Sequence, residues 1–359
     1  MIIAIDGYEA NVKNRVGVGR YAYEILIRLY QKRRKGLNFR IYLPNQPRFD
    51  MPKETLWWKD RILPIKKFWT FVSLPLAVTF DTPIADVIFT PTHYIPRFIS
   101  IPRVCVMYDL SYLYYPEMFR AKDLHQLVHW TRYSARLAKH ILTISHFSKR
   151  AIMEKYEVPD ERITVVYPGL TMSEISNSKY QIARNYILSV GTLQPRKNYV
   201  RLIEAFSSLK DKNVQLVIVG KKGWLYEEIL EAPKKYGVDG RVQFLDFVPD
   251  EKLPGLYKHA VCFALPSLYE GFGLPVLEAM SYGCPVVVSK TSSLPEIAGD
   301  AGIYVDPEDI GSIKNGLEKG TKARESLEGK QKISIGLVHA KQFTWENAAR
   351  KTLEILQNV

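Results

Sequence analysis

The segment Pro266-Ser-Leu-Tyr-Glu270-Gly-Phe-Gly-Leu-Pro-Val-Leu-Glu278 places two glutamates eight positions apart, on either side of a glycine-rich turn. The apolar run 261–265 before it is typical of a buried parallel strand, and Pro275 suits the first turn of a helix. The pattern therefore predicts a strand–turn–helix unit. In that unit Glu270 lies on the loop and Glu278 lies inside the helix.

The turn has the properties of a phosphate site. Its backbone N–H groups and the positive end of the helix dipole favour an anion, and glycine lets a ligand approach the main chain. The neighbouring carboxylates can accept hydrogen bonds from hydroxyls, Glu270 from a transferred sugar and Glu278 from a ribose. Alternatively, Glu270 is a solvated loop acid and Glu278 complements the helix dipole. The predicted nucleotide-sugar-binding residues of this turn are Glu270, Gly271, Phe272, Gly273, Leu274 and Glu278.

A second strand–turn–helix pattern lies at Ile187-Leu-Ser-Val-Gly-Thr-Leu-Gln-Pro-Arg196-Lys197-Asn198. Arg196 offers a forked guanidinium and Lys197 a point charge, and both suit a diphosphate leaving group. A basic pair alone is usually solvated surface, but its place between a strand and a helix favours a phosphate site. Gly191 and Thr192, at the end of the strand, complete the predicted site.

These two motifs resemble those of the retaining, two-domain nucleotide-sugar glycosyltransferases known as family 4, or group 1. The resemblance covers essentially the whole chain and is most specific from Ile187 to Asp306. It implies an α/β fold of the GT-B type, with two Rossmann-like domains whose parallel sheets face each other across a cleft. It also implies that Glu270 and Glu278 are the family's glutamate pair. Many relatives carry an arginine at the position of Thr192, so here that role passes to Arg196, with Lys197 as the family's lysine.

Length and pattern both predict two domains. A chain of 359 residues exceeds what one core usually holds, and strands alternate with helices in both halves. We predict a first, acceptor domain over 1–170, a polar linker over 171–180 and a nucleotide-sugar domain over 181–340. A helix within 341–359 is expected to return to the first domain, as in the family. The predicted strands are 2–6, 39–43, 87–89, 104–107, 140–144, 186–190, 215–219, 242–244, 261–265 and 286–288.

The segment Gly17-Val-Gly19-Arg20-Tyr-Ala22 matches the dinucleotide fingerprint G-x-G-x-x-A, which raises the alternative of an NAD oxidoreductase. That fingerprint needs its glycines close to the strand, whereas ten residues separate Asp6 from Gly17. The next strand also ends without an acid for a ribose. In the resembled family this loop lies near the donor phosphates, which makes Gly17 and Gly19 donor-binding candidates. The alternative is a flexible turn before a helix.

Tyr108 and Asp109 follow another predicted strand, where family members often carry a His-Asp pair. The phenol of Tyr108 can donate a hydrogen bond but does not carry a positive charge near neutral pH. Asp109 matches the family's acid, which could orient or deprotonate an acceptor hydroxyl. Alternatively, Asp109 caps a turn. Tyr108 and Asp109 are therefore the candidate acceptor residues.

Positive charge is concentrated in the first half. Residues 1–165 hold 26 Lys and Arg against 15 Asp and Glu, which gives +11 of the total +13. The segments 32–35, 57–59 and 66–69 mix basic and aromatic residues, which suits adsorption to an anionic bilayer that presents a lipid-linked acceptor. No nucleic-acid module is recognisable, so nucleic acid is not an expected partner. The other alternative is ordinary surface charge around an aromatic core.

No apolar stretch is long enough to span a bilayer, and acids stand where a signal peptide would be apolar, so we expect a cytoplasmic protein that is at most peripheral on the membrane. No metal or cofactor is expected. His125 and His129 share one helical face without a zinc motif, and the three cysteines are typical of buried free thiols.

The expected reaction is retaining transfer of a hexose, with mannose from GDP-mannose as the first choice, to a hydroxyl of a glycan or lipid-linked acceptor during polysaccharide synthesis. The catalytic candidates are Asp109, Arg196, Lys197 and Glu270, with front-face departure and attack because no enzyme nucleophile is evident. The remaining alternatives are a sugar-nucleotide epimerase or hydrolase of the same fold and a noncatalytic membrane-associated scaffold.

Overall fold

The computed structural model describes residues 1–32, 34–173 and 185–359, in which strands and helices alternate. The strands are β1 Ile2–Asp6, β2 Asn38–Leu43, β3 Trp58–Ile62, β4 Val87–Thr90, β5 Arg103–Met107, β6 His140–Thr143, β7 Ile163–Val165, β8 Tyr186–Val190, β9 Gln215–Val219, β10 Val242–Leu245, β11 Cys262–Leu265, β12 Val286–Ser289 and β13 Gly302–Val305. The helices are α1 Val18–Gln31, α2 Leu74–Phe80, α3 Ser111–Tyr114, α4 Ala121–Leu137, α5 His146–Tyr156, α6 Tyr199–Ser207, α7 Glu227–Lys235, α8 Leu253–His259, α9 Leu274–Ser281, α10 Leu294–Ala298, α11 Ile310–Thr321, α12 Leu327–Ala340 and α13 Trp345–Asn358.

The first seven strands form one sheet in the order β3-β2-β1-β4-β5-β6-β7, and every neighbouring pair is parallel. Its central strands are apolar along most of their length: Ile3, Ala4 and Ile5 are fully buried. Strands that are buried on both faces carry continuous apolar runs rather than alternating ones, because helices cover both sides of a parallel sheet. This explains why the sequence pattern located β1 so readily.

The other six strands form a second parallel sheet in the order β10-β9-β8-β11-β12-β13. One face is packed by α6 and α11 through a core that includes Leu202, Phe206 and Leu317. Both sheets therefore have the Rossmann strand order, and the predicted fold class of two Rossmann-like parallel sheets is confirmed. In such sheets ligands bind at the carboxyl ends of the two strands where the order reverses, here β1/β4 and β8/β11.

All ten predicted strands are present, each within one residue of its predicted start and end. Three strands were missed. β3 has an apolar residue only at each end, Trp58 and Ile62, with three consecutive charged residues between them, and it lies at a sheet edge. β7 has only three residues, and β13 carries the exposed Tyr304, so neither shows a long apolar run.

The chain divides into two compact units that share the sequence unevenly. The first contains Met1–Leu110, Lys122–Gly169 and Thr344–Val359; the second contains Ser111–Ala121 and Leu170–Phe343. In the first unit α13 packs on α1, where the rings of Trp345 and Tyr21 are 5.8 Å apart. Most of the predicted linker, and Arg33 of the basic segment 32–35, lie outside the described residues.

Candidate nucleotide-sugar site

The turn after β8 is held by close backbone packing. Gly220 follows β9, and a Cβ there would lie 2.0 Å from the carbonyl oxygen of Gly191, so only glycine allows the two turns to approach. Thr192 is exposed beside Gly191, whereas Lys197 is buried at the end of a short 3-10 turn. The predicted phosphate loop is therefore compact, and its lysine points into the unit rather than into solvent.

Asn198 fixes the end of this turn. It adopts the left-handed backbone conformation at φ 62°, which asparagine tolerates better than most residues. Its side-chain amide donates to the carbonyl oxygens of Pro266 at 2.8 Å and Pro307 at 2.7 Å. The basic turn is thereby tied to the segment that follows β11, although nearly seventy positions separate the two in sequence.

The glutamate turn after β11 is equally well fixed. Gly273 precedes α9 at φ 102°, where a Cβ would lie 2.7 Å from the side chain of Leu294, and Pro275 occupies the first turn of the helix as predicted. The Ser293 hydroxyl lies 2.9 Å from the carbonyl oxygens of both Glu270 and Phe272, and the Ser292 hydroxyl accepts from the Glu270 N–H at 3.1 Å. The loop after β12 therefore holds the backbone of the glutamate turn in one conformation.

These two turns bring Arg196, Lys197 and Glu270 together. Lys197 Nζ lies 2.6 Å from Glu270 Oε1, and Arg196 Nη1 lies 3.0 Å from Oε2. Ser267 also donates to Oε1 at 2.7 Å. The Glu270 side chain is only 7% exposed, so the carboxylate is removed from water and neutralised by two cations at once.

The electrostatics of Glu270 follow from these contacts. Burial would raise the pKa of the carboxyl, but the charges of Lys197 and Arg196, with hydrogen bonds from Lys197 and Ser267, lower the pKa to about 2. Glu270 is therefore ionised at every pH at which the protein would work. Two cations and one anion leave a single net positive charge at the carboxyl ends of β8 and β11, which is the charge that a phosphate site needs.

Glu278 lies on α9 and is only partly exposed. Its Oε2 accepts a hydrogen bond from the hydroxyl of the buried Tyr257 at 2.7 Å. Tyr257 in turn stacks on Tyr282, with ring centroids 6.1 Å apart. Burial and the charge of Glu278 raise the pKa of Tyr257, which keeps the phenol protonated as a donor. The hydrogen bond from Tyr257 therefore orients the Glu278 carboxylate.

The predicted site residues of the first unit are Gly17, Gly19, Tyr108 and Asp109. Gly17, at φ 49°, immediately precedes α1, so the helix begins at Val18 and Gly19 lies in its first turn. All of the segment 17–22 except Gly17 is therefore helical. Gly19 allows close approach of the chain, because a Cβ there would lie 3.0 Å from the carbonyl oxygen of Glu9.

Tyr108 is committed to internal contacts. Its hydroxyl donates to the carbonyl oxygen of Pro91 at 2.8 Å, and burial raises its pKa. Its ring stacks on His93, with centroids 5.6 Å apart, and its backbone N–H donates to His93 Nε2 at 3.1 Å. Burial lowers the pKa of His93 to about 4, against the opposing effect of the Asp109 charge. A neutral histidine therefore stands beside Asp109, contributed by the loop after β4.

Sequence reasoning missed several residues of these sites. They are His93, Asn198, Ser267, Ser292 and Ser293. The only signal for them was that polar residues follow the carboxyl ends of β4, β8, β11 and β12, which is where a parallel sheet binds ligands. Which hydroxyl meets which backbone atom depends on loop conformations that the pattern does not contain.

The structure also bears on metal binding, on the cysteines and on membrane spans. Within the three described ranges, no cluster of three or more His, Cys, Asp or Glu could hold a metal ion. All three cysteines are buried, and burial raises the pKa of Cys105 and Cys284 to about 12. Among the described helices, none combines the length and apolar character needed to cross a bilayer.

Comparisons with known proteins agree with this geometry. Residues 174–331 match the family model of glycosyl transferases group 1, and residues 16–174 match that of glycosyltransferase family 4. The crystal structure of HepE from Anabaena in complex with UDP and glucose aligns with a TM-score of 0.75 at 21% identity, over 100% of this chain and 99% of that one. The two parallel sheets are thus those of a known glycosyltransferase fold, GT-B.

Two curated relatives are similar in sequence. O-antigen chain mannosyltransferase B of Escherichia coli is 35% identical over 279 residues, which cover 73% of this chain and 72% of the relative. O-antigen chain mannosyltransferase RfbU of Salmonella typhimurium is 29% identical over 64% of this chain and 63% of its own length. The chain therefore belongs to glycosyltransferase family 4 and is a glycosyltransferase.

Proposed function

We propose that this enzyme transfers a mannosyl residue from GDP-mannose to a hydroxyl of a growing cell-surface polysaccharide, with retention of the anomeric configuration. The observation that carries the proposal is the buried cluster of Arg196, Lys197 and Glu270 at the carboxyl ends of β8 and β11. The choice of mannose is supported by the two O-antigen mannosyltransferases among its relatives. The donor requires no bound metal or cofactor in this scheme.

Charge complementarity gives the cluster its role. A nucleoside diphosphate gains negative charge as its bond to the sugar breaks, and preorganised cations stabilise that charge best where water is excluded. Before the donor binds, Lys197 and Arg196 are held in place by Glu270. The diphosphate then draws the two cations towards itself, and Glu270 is left to accept hydrogen bonds from the sugar hydroxyls. The backbone N–H groups of the 271–273 turn add further donors.

Glu278, Gly191 and Thr192 complete the part of the donor site that lies in the second unit. Glu278 accepts hydrogen bonds from the ribose hydroxyls through the carboxylate that Tyr257 orients. Gly191 and Thr192 lie where the main chain can approach the diphosphate. Gly17 and Gly19 are the donor-binding candidates of the first unit. Departure and attack take place on the same face of the sugar, so the configuration is retained and no covalent enzyme intermediate forms.

The acceptor is a glycan hydroxyl, carried by a lipid at the inner face of the membrane. Asp109 is the group that orients or deprotonates it. The hydroxyl of Tyr108 is occupied by the Pro91 carbonyl, so Tyr108 contributes through its position beside His93 rather than as a donor to the acceptor. The enzyme works as a peripheral protein on that membrane face.

Two substitutions separate the roles within the cluster. Lys197→Met removes a cation, so we expect weaker GDP binding and a fall in kcat of about a hundredfold or more. Glu270→Gln removes the anion and leaves two cations uncompensated, so we expect equally slow transfer but unchanged or tighter GDP binding. Calorimetry with GDP, UDP and GDP-mannose, together with transfer of labelled mannose, measures both quantities.

The exposed Lys210→Met serves as the matched control, and melting temperatures establish that each variant is folded. Tighter binding of UDP than of GDP by the wild-type protein would exclude the proposed donor. Consumption of GDP-mannose at the same rate with and without any glycan acceptor would indicate an epimerase or hydrolase instead. An inverted anomeric signal in the NMR spectrum of the product would contradict retention.

A further inference from the structure

A row of large apolar side chains is exposed along one helical segment of the first unit. Phe68, Val72, Leu76 and Phe80 follow one another at intervals of four residues and are 72%, 39%, 50% and 75% exposed. We call these four side chains the apolar ridge. The opposite face of the same segment is buried: Trp69, Ser73, Leu74 and Val78 pack into the unit.

The ridge is held in a fixed position. Trp69 donates its indole N–H to Asp6 at 3.0 Å, and Ser73 donates its hydroxyl to the carbonyl oxygen of Ile65 at 2.5 Å. The first turn of the segment, Trp69–Ser73, is a π turn, and α2 continues it. In a regular α-helix side chains four apart drift by about 40° per interval, and the wider turn at Trp69–Ser73 offsets part of that drift.

Such a row differs from the scattered apolar residues of any protein surface. Single exposed leucines or phenylalanines are ordinary, but contiguous ones mark an interaction site. From Phe68 to Phe80 the row spans roughly 18 Å at the helical rise. The sequence patch proposed for membrane adsorption included Trp58 and Trp69, and both are buried core residues. The apolar surface is therefore supplied by the ridge instead.

Charge around the ridge indicates the kind of partner. Between residues 61 and 80 the sequence has three basic side chains and no acidic one. Arg61 is paired with Asp81 at 2.8 Å, so the positive charge near the ridge comes from Lys66 and Lys67. Lys66 and Lys67 are exposed immediately before Phe68. On the neighbouring loop Phe98 is 87% exposed, and the Arg97 N–H reaches the Thr70 carbonyl oxygen at 3.4 Å. An apolar row with cations at its end is complementary to a partner whose surface layer is anionic and whose interior is apolar.

We propose that the apolar ridge docks on an anionic lipid bilayer, with its side chains at the boundary of the acyl chains and with Lys66 and Lys67 at the level of the lipid phosphates. The inference rests on the peripheral location in the proposed function and names the surface responsible. Vesicle binding requires neither donor nor turnover, so its failure is distinguishable from a failure of mannosyl transfer.

The experiment is cosedimentation of the full chain with vesicles of phosphatidylcholine, with and without about one third phosphatidylglycerol. We expect binding to the anionic vesicles that weakens as salt screens the lysines. The double variant Phe68→Ser/Phe80→Ser should lose about tenfold or more in vesicle affinity. The variant Lys66→Glu/Lys67→Glu should lose affinity for anionic vesicles only.

Matched controls lie in the second unit. Leu327 is 75% exposed, as Phe80 is, and Lys330 is an exposed lysine, so Leu327→Ser and Lys330→Glu should bind as the wild type does. Failure of the wild type to sediment, or equal binding by the double serine variant, would overturn the proposal. Lipid-independent dimerisation that the serine substitutions abolish, with no vesicle binding, would assign the ridge to a second copy of this chain. Mannosyl transfer to a soluble acceptor should be the same in wild type and ridge variants.

Discussion

The carboxyl group of Asp6 lies at the end of β1, next to the point where the first sheet reverses its strand order. It is 4% exposed and accepts two hydrogen bonds, from the Trp69 indole and the Tyr8 backbone, both at 3.0 Å. Burial raises the pKa of Asp6 to about 7, with a smaller contribution from Glu9, although the two hydrogen bonds lower it. Ionisation of Asp6 in the folded protein therefore lowers the free energy of unfolding.

The pH dependence of stability follows with a definite sign. Because the folded pKa lies above the unfolded value of 3.8, the folded protein binds the proton more tightly. The contribution of Asp6 to stability therefore declines as the pH rises from about 4 to about 7 and stays low above that. Asp6→Asn keeps the hydrogen-bond acceptor without the charge. We expect its melting temperature to exceed that of the wild type clearly at pH 8 and much less at pH 5, as measured by circular dichroism.

Asp160→Asn is the control for this comparison. Its side chain is 68% exposed in a surface ion pair with Lys149, so its loss should change stability little at either pH. A gain from Asp6→Asn that is the same at pH 5 and pH 8 would show that Asp6 is ionised across that range. A lower melting temperature of Asp6→Asn at both pH values would show that the hydrogen bonds of Asp6 require the carboxylate.

At the scale of elements, α9 depends on the turn that precedes it. Gly273 has φ 102°, and a Cβ there would lie 2.7 Å from Leu294, so Gly273→Ala meets both backbone strain and a clash. We expect a loss of about 1–3 kcal/mol in stability and a raised KM for the donor, because the displaced turn carries Glu270. Gly240→Ala, where a Cβ would meet nothing within 4 Å, should change neither quantity. Chemical denaturation and steady-state kinetics supply the measurements, and an unchanged KM would mean that the turn adjusts without moving Glu270.

The elements also show what a sequence can and cannot predict. The predicted bounds of β8 and β9 are confirmed to the residue, because each is a mostly apolar run between turn residues. Ligands of parallel sheets bind at the carboxyl ends of the two strands where the strand order reverses, which are β8 and β11 here. This rule predicts that the turns after β8 and β11 are neighbours. The contact of Lys197 with Glu270 does not follow, because it depends on the loop conformations that Asn198 and Ser293 impose. The sequence predicts that both cations bind a phosphate, but it does not predict that both contact the carboxylate of Glu270.

Long-range packing was the least predictable feature. The segment Ser111–Ala121 belongs to the second unit although it lies far before the second sheet in sequence. Its Tyr114 ring lies 5.4 Å from Tyr269, next to Glu270, and its Phe119 ring lies 5.7 Å from Trp224. Aromatic residues in a short loop predict burial but not the partner, because that depends on the path of the whole chain.

At the scale of the whole molecule, the path of the chain gives α13 a special role. The first unit is completed only by Thr344–Val359, after the entire second unit has been made. Trp345 is 2% exposed and packs on Tyr21, and a Cβ on Gly169 would lie 2.1 Å from the Trp345 nitrogen, so this corner of the unit is closely packed. The buried face of α13 continues through Ala349 and Leu353.

Removal of residues 344–359, or the milder Trp345→Ala, should therefore destabilise the two units unequally. We expect hydrogen exchange to lose protection in β1–β7, since α1 loses its cover, while β8–β13 keep theirs. Replacement of a core tryptophan by alanine costs about 3–5 kcal/mol, enough to open a unit of ordinary stability. The exposed Val338→Ser on α12 is the control. Equal loss of protection in both sheets would mean that the units unfold as one cooperative block. Unchanged protection in β1–β7 would mean that the first sheet is stable without its last helix.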